Sequence, residues 1–141
     1  MAAININMLE DGVDYEKLGL RSYRLIKDIS KKTNSRPPNG KGLLTKFGYL
    51  DDDGLLTLYA GFCWDGATGA LDTNDIMRAS AFHDWFCNNV LNRSLPSSYR
   101  REGDDLFYII MLEDGAPRWR AIYAHGAVVL YGKMVVRMLE S

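Results

Sequence analysis

The spacing of apolar residues changes once along this chain, near residue 70. Before that point the period is two. Tyr23, Leu25 and Ile29 alternate with Arg24 and polar neighbours, which predicts a strand over residues 20–29. Residues 43–50 and 55–62 read as two further strands. Asp51-Asp52-Asp53-Gly54 between them reads as a hairpin turn with a glycine available for positive φ. Residues 31–42, with Asn34, Ser35, Pro37, Pro38 and Asn39, read as a long loop suited to binding. Residues 1–19 give weak signals beyond a turn at Asp11-Gly12 and read as an arm or edge piece. Residues 20–69 together read as a small antiparallel β-meander that ends in a glycine-rich loop, 61–69.

After residue 70 the period lengthens. Ile76, Ala79, His83, Phe86, Cys87 and Val90 fall on one face of a helix that starts near Asn74. Asp72 or Thr73 can cap it, and Asp75 suits its first turn. Ser97 or Ser98 is the expected cap of a second helix, which runs to Glu113 and is closed by Asp114-Gly115. Pro117 suits the start of a third helix through Trp119, Ile122, Val129, Leu130 and Met134. Gly126 and Gly132 lower its propensity and permit close packing. The expectation is one α+β domain over residues 1–141. Its meander comes first, followed by three α-helices over residues 72–139, packed on the sheet and on each other.

The helical half carries two anomalies. His83 sits in the middle of an apolar stripe, and Asp104 shares a face with Phe107, Ile110 and Met111. Consecutive helices joined by a short loop run antiparallel, so these two polar groups can meet. The expected His83–Asp104 hydrogen bond would fix the tautomer of the imidazole and make a general-base dyad. Asp84 is turned about 100° away from His83. It would face the 61–69 loop, where Asp65, Asp84 and loop carbonyls offer an all-oxygen site for calcium or another divalent cation. The alternative is a buried pair that only satisfies itself and sets helix register, with Asp84 solvated or paired to Arg78, Arg93 or Arg100. His125, between Ala124 and Gly126, reads as packing. Trp64, Trp85 and Trp119 read as core or interface anchors. The charges around Arg100-Arg101-Glu102 and Arg118-Trp119-Arg120 read as solvated faces.

Composition narrows the function classes. The 141 residues are 47% apolar and 25% charged, as in ordinary globular proteins. A net charge of −1 gives no footprint for nucleic acid. No apolar run approaches the roughly 20 residues that span a bilayer. The N-terminus has no signal-peptide pattern, so the expected setting is a cytoplasm with Cys63 and Cys87 as free thiols. Two cysteines can form neither a disulfide framework nor a four-cysteine zinc site.

Several motifs in order resemble one family. They are Gly61-Phe62, Asp65-Gly66-Ala67-Thr68, His83-Asp84, Asp104 with Phe107, Pro117-Arg118-Trp119-Arg120 and Tyr131-Gly132. Their layout over residues 20–135 resembles the domain of unknown function family 1353, found in tailed phages and some bacteria. Thr68-Gly69 departs from that family's usual serine and proline. The resemblance implies a phage setting, in the host cytoplasm or associated with the virion, and no particular activity. The adjacent His-Asp pair is also similar to that of secreted phospholipases A2. That likeness implies His83 as base, Asp104 as its orienter and Asp84 as a calcium ligand. The disulfide scaffold of those enzymes is absent, and Cys87 stands where they carry a tyrosine. Two expectations follow. One is a metal-assisted hydrolase of an ester or lipid built on His83 and Asp104. The other is a non-enzymatic phage protein that binds a host or virion partner through the 31–42 loop and exposed aromatics.

Overall fold

The computed structural model describes residues 6–8, 14–19, 22–65 and 74–140. The chain forms two compact units, Met1–Trp64 and Asp65–Ser141. The expected turn at Asp11-Gly12, the loop residues 66–69 and the caps Asp72 and Thr73 lie outside the described residues.

The described strands are β1 (Ile6–Met8), β2 (Asp14–Gly19), β3 (Ser22–Leu25), β4 (Ile29–Lys32), β5 (Leu43–Thr45), β6 (Gly48–Leu50), β7 (Leu55–Leu58) and β8 (Cys63–Asp65), all in the first unit except Asp65, with which the second begins. Among the described residues they form two sheets, in the orders β1-β2-β3-β8 and β4-β7-β6-β5. Period two is visible in the burial. Tyr23 and Leu25 of β3 point inward, as do Leu50 of β6 and Leu56 and Leu58 of β7. Tyr15, Tyr23 and Trp64 pack edge to face or tilted at 5.6–6.1 Å, and Phe62 stacks on Trp64. The Asp51–Gly54 turn forms as expected. The Asp51 carboxylate accepts the backbone N–H groups of Asp53 and Leu55, and Gly54 takes φ +93°. A side chain at Gly54 would also lie 2.6 Å from the Thr33 carbonyl.

The single meander is corrected to two sheets. The strand expected over 20–29 is broken, so β3 joins one sheet and β4 the other. Between them Asp28 accepts the N–H of Ala60, which holds the bend. The strand expected over 43–50 is itself a hairpin, turning at Lys46-Phe47, with the Thr45 hydroxyl bonded to the Gly48 carbonyl. The strand expected over 55–62 stops at Leu58, turns through Gly61 at φ +95°, and resumes as β8.

The described helices of the second unit are α1 (Asn74–Leu91), α2 (Tyr99–Glu113) and α3 (Arg118–Glu140). The first two run antiparallel. Arg78, early in α1, pairs with Glu113 and Asp114 at the end of α2, and Phe86, late in α1, meets Gly103, early in α2. A Cβ on Gly103 would lie 2.6 Å from Phe86, so glycine sets how closely the two helices approach. Ile76, Ala79, Phe82, Phe86 and Val90 are buried in α1, and Leu106, Phe107, Ile110 and Met111 in α2. Each large side chain so buried contributes about 1.5–3 kcal/mol.

The helix ends follow backbone chemistry. α2 closes with Gly115 at φ +91°, its N–H bonded to the Leu112 carbonyl and that of Ala116 to the Met111 carbonyl. The expected serine cap is corrected. Ser98 is itself in helical conformation and makes no side-chain cap, and the Ser97 hydroxyl donates to Glu140 instead. Arg120 is not simply solvated, because it pairs with Asp75 at 2.8 Å. α3 buries a narrow row, Ala121, Ala124, Val128 and Gly132. Its large apolar residues, Trp119, Ile122, Leu130 and Met134, face outward. Trp119 is therefore no core anchor, unlike Trp64 and Trp85.

Candidate functional site

The α1/α2 pairing brings His83 to Asp104. Both side chains are buried, and Nε2 lies 2.6 Å from Oδ1. The same Oδ1 accepts the Nε–H of Arg100, one turn earlier in α2, at 3.3 Å. An oxygen that accepts from a guanidinium is unprotonated, so His83 must be the donor to it. The imidazole proton therefore sits on Nε2, and Nδ1 keeps its lone pair. The Phe107 ring packs against the imidazole at a tilt of 47°, with centroids 5.2 Å apart. Burial holds the His83 pKa below its ordinary value, and Arg100 pushes the same way against the opposing pull of Asp104. The ring is neutral at neutral pH.

Arg100 was expected on a solvated face and is instead buried in this network. Its second nitrogen reaches the Val128 carbonyl at 3.5 Å, and its guanidinium lies 5.7 Å from the Tyr131 ring centre. Gly132 makes this possible. A Cβ there would come within 2.9 Å of Arg100 Nε and 3.2 Å of Asp104 Oδ2. Buried charges cost several kcal/mol each unless they are paired and hydrogen-bonded, and here each has a partner.

A cavity of about 270 Å³ opens beside the dyad, lined by His83, Asp84, Cys87, Asp65, Ser80 and Tyr131 among others. Asp84 is half-buried, and its Oδ2 accepts the backbone N–H of Asp65 at 3.2 Å. Burial raises its pKa to about 7, with the negative charge of Asp65 adding to the effect and the Asp65 N–H opposing it. The expected ion pairs to Arg78 or Arg100 do not form, since those cations are engaged by Asp114, Glu113 and Asp104. Cys87 lies one turn beyond His83, with Sγ 3.6 Å from Nδ1. Burial pushes its thiol up to about 12, and the nearby carboxylates add to this. Sγ is also 3.7 Å from Nε2, so the sulfur lies over the ring rather than along the Nδ1 lone pair, and a thiol that stays protonated is no ready nucleophile.

The donor atoms of His83, Asp84 and Cys87 lie within 4.8 Å of one another. The structure thus brings three of the expected site residues, His83, Asp84 and Asp104, to one place. Asp65 lies on the same cavity but outside the tight group. Of the 61–69 loop whose carbonyls were expected to complete an oxygen site, residues 66–69 lie outside the described residues. Two members were missed in the sequence. Cys87 stood on the His83 stripe and read as a free thiol with no place in the site; its spacing of four from His83 was the available signal. Arg100 stands four before Asp104, and that too was visible without indicating burial. His125 makes a second pair, with Asp105 at 2.9 Å, on the exposed side of α2 and α3.

Fold and site together define an α+β protein with a buried histidine–carboxylate dyad at the wall of a small cavity. The chain belongs to the DUF1353 family, described as a protein of unknown function, which matches residues 42–128. That span holds all of His83, Asp84, Cys87, Arg100 and Asp104, and it stops before Tyr131 and Gly132. No curated protein and no solved structure matches the chain, so the likeness to phospholipases A2 finds no support.

Proposed function

We propose that this protein is a hydrolase of ester bonds in which His83, positioned by Asp104, activates water. The observation that carries the reading is the 2.6 Å contact, which leaves Nδ1 as the unprotonated nitrogen beside the cavity. In the reaction a water proton passes to Nδ1 while the water oxygen attacks the carbonyl carbon. The bond to the leaving alkoxide then breaks, and the imidazolium returns the proton to it. Asp104 touches no reactant. It is a positioning residue that holds the ring and stabilises the imidazolium. Asp84 and Asp65 offer oxygens where a divalent cation would polarise the carbonyl.

The test is turnover of a panel of short- and long-chain aryl esters, with and without added calcium. His83→Ala should lower turnover roughly 10²-fold or more while leaving the melting temperature within a few degrees. If wild-type protein gives no turnover above the buffer blank and His83→Ala unfolds, the pair is structural.

The exposed apolar face of α3 favours a second reading, a phage protein that binds a host or virion partner without catalysis. On that reading Trp119→Asp with Leu130→Asp abolishes capture of the partner, and His83→Ala does not.

A further inference from the structure

The geometry points to a binding site for a zinc-class transition-metal ion, ligated by His83 Nδ1, the Asp84 carboxylate and Cys87 Sγ. Nitrogen, oxygen and sulfur donors together suit a borderline-soft ion and disfavour calcium or magnesium. The donors are already neighbours, within 4.8 Å of one another. Zinc bonds of about 2.0–2.1 Å to nitrogen and 2.3 Å to sulfur, opened to a tetrahedral angle, place the two donors about 3.6 Å apart. His83 Nδ1 and Cys87 Sγ are 3.6 Å apart, and because Sγ is also 3.7 Å from Nε2, a rotation of the Cys87 side chain brings the sulfur from over the ring to the ion.

The ligands are also oriented. Asp104 holds the His83 proton on Nε2 and so turns the lone pair of Nδ1 toward the site, the arrangement that supports metal-bound histidines generally. His83 and Cys87 are one turn apart on α1, and Asp84 brings the third donor from the next position. The adjoining cavity leaves the fourth coordination position open. Binding releases the Cys87 thiol proton to solvent and leaves a thiolate on the ion.

A consequence for catalysis rests on the hydrolase reading proposed above. The ion would use the same Nδ1 lone pair that takes the proton from water. Base catalysis and occupancy by this ion therefore exclude each other, and zinc suppresses turnover.

The experiment titrates cobalt into the reduced, tag-free, full-length protein and follows its absorption. A thiolate-to-cobalt band in the near ultraviolet should grow with the visible bands of four-coordinate cobalt, saturate at one ion per chain, and vanish when zinc is added. Cys63→Ser should keep the near-ultraviolet band and Cys87→Ser should lose it. Asp84→Asn should keep the band with affinity at least about tenfold weaker. No band in wild type, or a band that survives Cys87→Ser, overturns the site. Should Cys87→Ser fail to fold by circular dichroism, Asp84→Asn carries the test, and unchanged cobalt affinity overturns the assignment. Ester turnover measured in the same samples separates the two claims. A cobalt band without turnover upholds the ion site and removes the hydrolase reading. Turnover that zinc leaves untouched overturns the proposed exclusion.

Discussion

Asp84 carries its carboxyl group to a place that water reaches only in part, and burial moves its pKa from the ordinary 3.8 to about 7. The folded protein therefore holds this proton more tightly than the unfolded chain does. The stability it contributes is full below pH 3.8 and falls away as pH rises through about 7. Asp84→Asn, in metal-free protein, should melt higher than wild type at pH 8, with the difference shrinking toward pH 4. Equal melting temperatures at both pH values would show that the carboxylate is well solvated. The meeting of His83 with Asp104 was legible in the sequence, because each broke an apolar stripe on consecutive helices. Arg100 was not legible. A long cation reads as surface until the space that receives it is known, and that space is made by a glycine 32 residues later.

Elements differ in how their ends and faces are written. Gly126 and Gly132 look alike in the sequence of α3, yet their surroundings are opposite. Nothing lies within 4 Å of a Cβ built on Gly126, while one on Gly132 meets Arg100 and Asp104. Gly126→Ala should stabilise the protein by about 0.5–1 kcal/mol through helix propensity. Gly132→Ala should destabilise it by about 1–3 kcal/mol through overpacking, against the same propensity gain. Denaturant unfolding of the two variants measures both, and equal effects would contradict the close approach of α3 to the dyad. At the end of α1, Arg93 is exposed with φ +66°, a left-handed position held by a branchless backbone elsewhere in the chain. Arg93→Gly should raise stability by about 1 kcal/mol in the same assay. The strand breaks were harder to read. Lys46-Phe47 turns with no glycine, proline or asparagine at its two central positions, only Gly48 closing it, and the bend before β4 depends on a bond from Ala60 to Asp28, far along the chain.

At the scale of the whole molecule, the order of strands first and helices after was legible from the change of period, and the division into two sheets was not. Sheet partners are set by long-range pairing, as when β3 joins β8 and β4 joins β7. The outward face of α3 was also unexpected, since an apolar residue on a helix reads as core until the helix's partners are known. Trp119 is 70% exposed, whereas Trp64 and Trp85 are buried. Acrylamide should therefore quench one red-shifted tryptophan component, and Trp119→Phe should remove it. A fully shielded Trp119 would mean that this face is already covered in solution.

The account turns on the protonation of one ring, and nitrogen-15 NMR of the imidazoles reads it directly. His125→Gln leaves His83 as the sole histidine of the chain. In metal-free protein at neutral pH, His83 should be neutral, protonated on Nε2 with a hydrogen-bonded, slowly exchanging proton, and bare at Nδ1. A proton on Nδ1, a rapidly averaging mixture of tautomers, or a solvent-like imidazole would contradict the positioning of His83 by Asp104.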